Sequence, residues 1–387
     1  MKRKSRQKLN LALLSIWFLL ASSLAIAQRS FEFSGYVANL PIFEPKNNIG
    51  QFTTDDLLLD LTRLRLRPTL NVSENLRISL EYEITSLYQS SALFFAPIND
   101  KTNRQTVDLR WQPVNERHLK IAHFIDRLYL RQDFDFGTIT VGRQRVAWGT
   151  GRIWNPTDLF NPINPAAFDK IEKDGADLIT AKFYLGNFTD LTLVHNPRKN
   201  LRDNNAGFRF RSNYHSYDLS VIGGYFDERL VIGGDFAGNL LAAGFRGEAI
   251  FSADRRNLRA NFVKYILGLD YQFTAKIYAL MEFQHNGKGK RDKAAYDLRG
   301  LIDGRIINLS QNYLFVRTML QLHPLLNAGV AWNGNLNDGS GFTALNLTYS
   351  YRDNLEFGLG GQIFYGSPLD EYWYYGSALF FLGTFYF

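Results

Sequence analysis

The sequence predicts an all-β chain that closes into a single transmembrane, antiparallel, up-and-down β-barrel of about eighteen strands, with sixteen as the alternative. Three observations predict this fold class. An export signal opens the chain, apolar and polar residues alternate along most of the rest, and short links between the alternating runs take turns with long ones. Together they favour a barrel in a membrane over a soluble β-protein.

Residues 1–27 have the three parts of a secretory signal peptide. Five basic residues precede an uncharged apolar stretch, 11–24, and small residues end the segment at Ala27. We expect cleavage after Ala27, which leaves 28–387 as the barrel; an uncleaved membrane anchor is the alternative. Without those five basic residues, 39 Lys and Arg face 37 Asp and Glu, so the net charge falls from +7 to +2. The charge therefore does not support a nucleic-acid partner.

Alternation with period two runs through most of the exported part. In residues 76–84, apolar side chains occupy every even position and polar ones every odd position, and 63–70, 263–272 and 314–322 follow similar patterns. Runs of roughly 8–13 residues are long enough to cross a bilayer as tilted strands. Glycines blur the pattern between 231 and 251, and losing that pair of strands would leave sixteen.

Short and long connections alternate, as expected when turns lie at one end of a barrel and loops at the other. The long connections are 89–118, 149–176, 196–206, 252–261, 286–311, 333–341 and 366–376. The short links are Val72–Asn75, Asp133–Gly137, Gly186-Asn187, His215-Ser216, Gly238-Asn239, Thr274-Ala275, His323–Leu326 and Arg352–Asn354. This order predicts an even number of strands, with both chain ends on the periplasmic side.

The chain ends in an aromatic strand that closes on Phe387. Such an ending resembles the signal by which the outer-membrane assembly machinery recognises its clients, so we expect that machinery as a partner, together with outer-membrane lipid and lipopolysaccharide. Phe134 and Phe136 fit an inner aromatic girdle, and 372–375 fit the outer one. These features predict the cell outer membrane as the location.

Taking the more charged face of each strand as inward gives a candidate pore lining that is predominantly basic. The basic candidates are Arg63, Arg65, Arg67, Arg77, Arg127, Arg131, Lys182, Arg209, Arg211, Arg229, Arg246, Lys264 and Arg317. The acidic candidates are Glu81, Glu83, Asp235, Glu248, Asp270, Glu282 and Glu356. A basic wall attracts anions. The arginines at 63, 65 and 67 have two interpretations: a conduction path, or a structural ladder paired with Glu81 and Glu83.

A G-R-Q strand that runs into W-G, at 142–149, precedes an N-P-x-D loop that begins at Asn155. This combination resembles a mostly uncharacterised group of porin-like outer-membrane proteins of Gram-negative bacteria, and is distantly similar to alginate-export and OprD-type eighteen-stranded porins. The resemblance implies a loop that folds into the barrel; an outward loop held by tryptophans is the alternative. The constriction candidates are Arg152, Trp154, Asn155, Asp158, Asp169, Lys170, Glu172 and Lys173.

Two arginines next to this motif have no settled face. Arg143 and Arg145 share a strand face with Ile139 and Val141, which would meet lipid in a regular strand. Either a bulge at Gly142 exchanges the faces, or the arginines lie near a membrane interface.

Catalytic and metal-site patterns are missing from the sequence. Its six histidines are scattered, no G-x-S-x-G motif occurs, and there is no cysteine. We therefore expect no enzyme, no cofactor and no metal, but a porin that lets small, anionic or polar solutes diffuse passively. The alternatives are an export or assembly barrel for an anionic polymer, and a structural or surface-binding barrel with a plugged lumen. The sequence leaves the solute and the oligomeric state open.

Overall fold

A computed structural model describes residues 30–46, 48–49, 52–53, 55–91, 104–160, 174–254, 256–302, 306 and 308–387. The signal-peptide prediction for 1–27 and four constriction candidates, Asp169, Lys170, Glu172 and Lys173, lie outside these residues. Among the described elements no helix is long and apolar enough to cross a membrane.

The described chain is built from twenty-one β-strands, four short 3-10 turns and one five-residue α-helix, Leu298–Ile302. The strands are β1 Ser30–Glu44, β2 Asn48–Ile49, β3 Phe52–Thr53, β4 Leu57–Ser73, β5 Leu76–Gln89, β6 Arg110–Asn115, β7 Leu119–Phe134, β8 Gly137–Gln144, β9 Ala176–Tyr184, β10 Asp190–Asn196, β11 Asn205–Tyr214, β12 Tyr217–Phe226, β13 Arg229–Leu240, β14 Ala243–Asp254, β15 Phe262–Gln272, β16 Ile277–Asn286, β17 Asn312–His323, β18 Leu326–Asn335, β19 Gly341–Arg352, β20 Leu355–Tyr365 and β21 Ala378–Tyr386.

Eighteen of these strands form one closed antiparallel ring. β1 pairs with β4 on one side and with β21 on the other, so the sheet has no free edge at its ends. Phe387 and Gly35 exchange backbone hydrogen bonds of 2.9 and 3.0 Å at this closure. β2 and β3 form a separate small hairpin, and β6 is an extra strand beside β7. The prediction of eighteen strands is confirmed, including the glycine-rich pair β13 and β14.

Side chains alternate between a polar interior and an apolar exterior. On β11, Phe208 and Phe210 are 41% and 40% exposed, while Arg209 between them turns inward to Ser220. On β15, Leu267 is 47% exposed and Ile266 is 1% exposed. Pairing satisfies the backbone groups along the ring, so an apolar exterior is compatible with surrounding lipid.

Both termini of the ring, Ser30 and Phe387, lie at the same end, here called the terminal end; the opposite end is called the loop end. Terminal-end turns are short, as expected, but the turn between β13 and β14 is at Leu241-Ala242 and not at Gly238-Asn239. Gly238 and Asn239 instead continue β13, because Gly238 is paired with Phe245 and Asn239 with Gly244 in the sheet. Hydrogen bonding across the hairpin therefore decided the turn.

One loop-end connection is as short as the turns. Asp227 and Glu228 join β12 to β13 with φ of 52° and 63°, the left-handed conformation of type I′ hairpin turns. At the terminal end, His215 and Ser216 do the same with φ of 50° and 65°. Neither turn contains glycine, so sequence rules for I′ turns do not anticipate their conformation.

Candidate functional site in the barrel lumen

The inward face of β4, β5 and β7, here called the arginine wall, holds a network of arginines and carboxylates. Arg65 is central, because its guanidinium donates to Glu81 at 2.6 Å and to Glu83 at 2.7 Å and also bonds Asp126. Arg63 pairs with Glu83 at 2.8 Å. The remaining members are Arg67 and Arg127, each 3.7 Å from Glu81. Strand alternation places these charges on one face, and neighbouring strands supply the opposite sign.

Asp126 is a member of the arginine wall that the sequence did not indicate. A β-bulge in β7 shifts the register between Glu81, opposite Arg127, and Tyr82, opposite Ile125. The extra residue lets Asp126 and Arg127 both contact the arginine wall, whereas strict alternation would send one of them outward. Asp126 is 1% exposed and also accepts the backbone N–H of Gly175 at 2.8 Å. No sequence pattern marks this bulge.

Other predicted lumen residues form smaller ion pairs along the ring. Asp190, which is not among the predicted pore-lining residues, lies 3.4 Å from Lys182 and 2.7 Å from Arg211. The sequence could have indicated Asp190, because Lys182 and Arg211 lie on the two strands that flank β10 and a carboxylate between them would pair with both. The other pairs are Arg131 with Asp133 at 2.9 Å, Arg209 with Asp235 at 3.4 Å, Arg229 with Asp254 at 3.2 Å, and Arg246 with Asp270.

Six predicted pore-lining residues have no ion pair among the described residues: Arg77, Glu248, Lys264, Glu282, Arg317 and Glu356. Arg77 is opposite Arg131 in register, and Arg317 occupies the same face of β17 as the buried Tyr313 and Phe315. The structure therefore distributes the predicted charges around the ring and does not gather them into one cluster.

The segment 145–160, here called the inner loop, leaves the wall after β8 and docks inside the barrel. Two carboxylates of the wall, Glu248 on β14 and Glu282 on β16, hold its backbone. Glu248 accepts the N–H groups of Thr150, Gly151 and Thr157 at 2.5, 2.6 and 3.1 Å and the Thr157 hydroxyl at 2.7 Å. Glu282 accepts the backbone N–H groups of Arg152, Ile153 and Trp154 at 2.8, 3.2 and 2.7 Å.

Two tryptophans anchor the inner loop in apolar patches of the lumen. Trp148 packs edge-on against Phe160, which packs on Phe226 of β12. Trp154, 3% exposed, contacts Phe315 and Tyr313 of β17. Of the other constriction candidates, Asp158 is buried, Asn155 is partly buried and Arg152 is exposed.

The inner loop lies opposite the arginine wall. In ring order β5 is the third strand and β15 the twelfth, so eight strands lie between them on either side. β14, β15 and β16 carry Glu248, Ile266 and Glu282, which contact the loop. The loop exposes two cations, Arg145 and Arg152, and neither has an ion pair among the described residues. Any path through the lumen therefore runs between the arginine wall and a basic loop.

The strand register around Gly142 decides one of the two interpretations of Arg143. Gly142 and Arg143 pair regularly with both β7 and β9, so the expectation of a bulge that exchanges the faces is wrong. The φ of Gly142 is +123°, a conformation that side chains rarely adopt, and a Cβ there would lie 2.3 Å from the carbonyl oxygen of Leu128. Arg143 beyond it is 2% exposed and donates to Asp177 at 2.8 Å and to the carbonyl of Ile125 at 3.0 Å. Arg143 thus lies within the wall where β8 ends.

The segment 104–109 continues the wall on the loop-end side of β8. The N–H of Asp177 donates to the carbonyl of Arg104 at 3.1 Å, and that of Ile125 donates to the carbonyl of Leu109 at 3.0 Å. The segment therefore bridges β7 and β9 at the place where β8 has ended and the inner loop has left the wall. Asp177, which is paired with Arg143, also accepts the N–H groups of Thr106 and Val107 in this segment.

A buried carboxylate ties several loops together at the loop end. Glu371 accepts hydrogen bonds from the Tyr313 hydroxyl at 2.5 Å, the Asn335 amide at 2.9 Å and the N–H of Leu309 at 3.0 Å. Burial raises the pKa of Glu371 to about 7. Its neighbour Tyr372 is 4% exposed.

Tyr372 packs against Phe342 and Phe364, with ring centroids 5.6 and 6.2 Å apart. The expectation that 372–375 belong to an outer girdle is therefore wrong for Tyr372, because its loop folds over the mouth. The terminal-end girdle residues Phe134 and Phe136 are exposed and stack at 5.2 Å.

Comparison with known proteins supports the fold. No protein-family model matches the sequence, and no curated protein does. Among solved structures, OccK8 (OprE) of Pseudomonas aeruginosa matches with a TM-score of 0.56 at 9% identity, over 92% of this chain and 98% of that one. OccAB4 of Acinetobacter baumannii matches with a TM-score of 0.54 at 10% identity, over 93% and 99%. The fold is that of a porin-like outer-membrane β-barrel.

This likeness confirms the resemblance to porins at the level of the fold, and the number of strands agrees with it. The narrower group suggested by the G-R-Q, W-G and N-P-x-D motifs is not identified by any match. At about 10% identity the similar structures carry no information on which residues of this chain act, so the site rests on its own geometry.

Proposed function

We propose that this chain is a channel of the cell outer membrane through which small, anionic or polar solutes diffuse passively. The observation that carries the proposal is the unequal treatment of charges in the lumen. Carboxylates of the two facing walls are engaged by arginines or by loop amides, whereas Arg145 and Arg152 are exposed without an ionic partner among the described residues.

The arginine wall supports the same polarity. Its network contains four arginines and three carboxylates, Glu81, Glu83 and Asp126, so one positive charge is in excess. Asp190 is shared between Lys182 and Arg211. A narrow wet lumen with basic residues on both sides concentrates anions and repels cations.

The location follows from the predicted export signal, the apolar exterior and the closed ring. A cylinder with phenylalanines and leucines outside is suited to lipid and not to water. On this proposal the partners are outer-membrane lipid, lipopolysaccharide and the assembly machinery that reads the strand ending in Phe387.

Reconstitution of the purified barrel in planar bilayers tests the proposal. We expect discrete conductance steps and, across a salt gradient, a reversal potential displaced towards that of the anion. The double variant Arg145→Gln/Arg152→Gln should lower this displacement, because it removes the two exposed charges of the inner loop. Lys276→Gln, in an exposed terminal-end turn, is the matched control and should leave it unchanged. Bilayers that stay sealed at every protein concentration would contradict channel activity.

A second candidate is a plugged barrel with a structural or surface-binding role. The buried inner loop and the paired arginine wall favour it, because both remove charge and space from the lumen. It predicts sealed bilayers for the native chain and for the arginine variants alike. An export barrel for an anionic polymer predicts conductance only after the inner loop is released from Glu248 and Glu282.

A further inference from the structure

Two loop-end loops carry the same short sequence. Residues 198–204 read R-K-N-L-R-D-N and residues 255–261 read R-R-N-L-R-A-N. The first joins β10 to β11 and the second joins β14 to β15, so each precedes a strand that returns towards the terminal end. Two copies of one seven-residue pattern at equivalent places of the barrel suggest a shared task.

The two copies also share one conformation. Each forms a single 3-10 turn, Leu201–Asp203 and Leu258–Ala260, with an asparagine before it and another after it. The later asparagine closes each loop: Asn204 accepts the N–H of Arg198 at 2.7 Å, and Asn261 accepts that of Asp254 at 2.7 Å. The loops are therefore built to present the residues between these asparagines.

An exposed leucine stands at each tip. Leu201 is 85% exposed and Leu258 is 77% exposed, although an isolated leucine gains nothing from contact with water. Cations flank both: Lys199 and Arg202 in one loop, and Arg256 and Arg259 in the other, all exposed. Arg256 lies 3.7 Å from Glu228.

The other three cations have no ion pair among the described residues. Each tip thus combines an apolar side chain with positive charge that the barrel itself does not neutralise.

Both tips belong to short loops between strands of the lipid-facing ring. Eight residues, 197–204, separate β10 from β11, and seven, 255–261, separate β14 from β15. Outward apolar residues lie on the strands next to each tip: Leu193 and Phe208 near one, and Phe251 and Val263 near the other. In a membrane these residues mark the lipid-facing surface, and the tips stand at its loop-end border.

We propose that the two tips are docking points for the phosphorylated glycolipid of the outer leaflet. Leu201 and Leu258 contact its acyl chains, and the flanking lysine and arginines bind its phosphate groups. A phosphorylated lipid offers both halves of this match at one interface, whereas free phosphate offers no partner for leucine and a neutral lipid offers none for the cations. The inference rests on the membrane location in the proposed function and not on conduction.

The test measures binding of purified lipid A to the full-length barrel in detergent by native mass spectrometry. We expect the double variants Leu201→Ser/Leu258→Ser and Arg202→Gln/Arg259→Gln each to weaken binding on the order of tenfold. Leu241→Ser is the matched control for the leucines, because Leu241 is 96% exposed in a terminal-end turn without a neighbouring cation. Lys276→Gln is the control for charge. Both controls should bind as the native chain does.

Ligand controls separate the lipid from its parts. Dephosphorylated lipid A should bind more weakly, and inorganic phosphate at equal phosphate concentration should not displace lipid A. Equal binding by the native chain and both double variants, equal binding of dephosphorylated lipid A, or full displacement by inorganic phosphate would each overturn the proposal. All the changes lie on exposed side chains, and the shift of the folded barrel in unheated electrophoresis verifies that each variant is folded.

Conductance of the same preparations in bilayers without lipopolysaccharide distinguishes the two proposals. A native chain that conducts but does not bind lipid A refutes the docking points and leaves the channel intact. A chain that binds lipid A through the two tips but never conducts refutes the channel and supports the docking points.

Discussion

The arginine wall and the wall beneath the inner loop face each other and satisfy buried carboxylates by different means. On the arginine wall, Glu81, Glu83 and Asp126 are neutralised by guanidinium groups from neighbouring strands. On the opposite wall, Glu248 and Glu282 accept backbone N–H groups of a loop and have no ion pair among the described residues. The first arrangement stabilises the wall, and the second holds the inner loop in place.

The difference teaches which carboxylates define the bore. An arginine pair joins two strands that the sheet already joins, so its loss affects stability more than shape. A carboxylate that gathers three loop amides decides where the loop lies, so its loss affects the cross-section of the lumen. Buried polar groups that lose a partner carry a penalty in either case.

The largest expected effect is that of Arg65→Ala. The change leaves Glu81, Glu83 and Asp126 close together with their main cation removed, and we expect the free energy of unfolding to fall by about 3–5 kcal/mol. Urea unfolding in detergent micelles measures it. Arg67→Ala is the matched control: its side chain is 32% exposed and 3.7 Å from Glu81, and we expect about 0–1 kcal/mol. Equal losses for the two variants would show that the network is not centred on Arg65.

Release of the inner loop should change conduction more than stability. In the double variant Glu248→Ala/Glu282→Ala, six loop N–H groups, two of them buried, lose their acceptor, so the loop should detach. We expect larger and noisier single-channel steps than in the native chain. Glu356→Ala removes an inward carboxylate that has no hydrogen bond or ion pair among the described residues, and it should leave the step size unchanged. Identical steps for all three chains would place the narrowest point elsewhere.

The loop 366–377, which carries Glu371, should dock more firmly at acid pH than at alkaline pH. The pKa of Glu371 is raised from 4.5 to about 7, so docking of its loop is most stable below pH 4.5 and loses stability as the pH rises towards 7. The difference is at most about 3 kcal/mol. Hydrogen exchange of residues 366–377 should be faster at pH 8 than at pH 5. This acceleration is expected to exceed the intrinsic increase of amide exchange between the two pH values. In Glu371→Gln, which stays neutral, only the intrinsic increase should remain, and a larger one would show that another group titrates.

The smallest expected effect is that of Gly142→Ala. A Cβ at this position meets the carbonyl oxygen of Leu128 and requires a positive φ, so we expect a loss of about 1–3 kcal/mol in unfolding free energy. Gly339→Ala is the control for φ alone, since its φ is +80° and no atom lies within 4 Å of a Cβ there. A larger loss at Gly339 than at Gly142 would show that the contact with Leu128 is unimportant.

The two walls also differ in how far the sequence foretold them. Alternation in β4 and β5 puts Arg63, Arg65 and Arg67 on one face opposite Glu81 and Glu83, and the structural ladder was one of the two stated interpretations. The bulge at Asp126 broke the alternation and stayed hidden. Glu248 and Glu282 were predicted as pore-lining carboxylates, and the sequence could not show that they accept hydrogen bonds from loop N–H groups, because every residue type except proline has a backbone N–H.

Local chemistry by itself indicated the strands and the inward side of the regular ones, because a two-residue period and a lipid exterior allow only one assignment of faces. It left sixteen strands as an alternative to eighteen, and it left the face of Arg143 open. Contacts between residues distant in the chain decided the rest: the path of the inner loop, the filling of the wall above β8, and the burial of Glu371. Those features depend on which strands become neighbours when the ring closes, and that closure brings β14 and β16 under a loop that starts some hundred residues earlier.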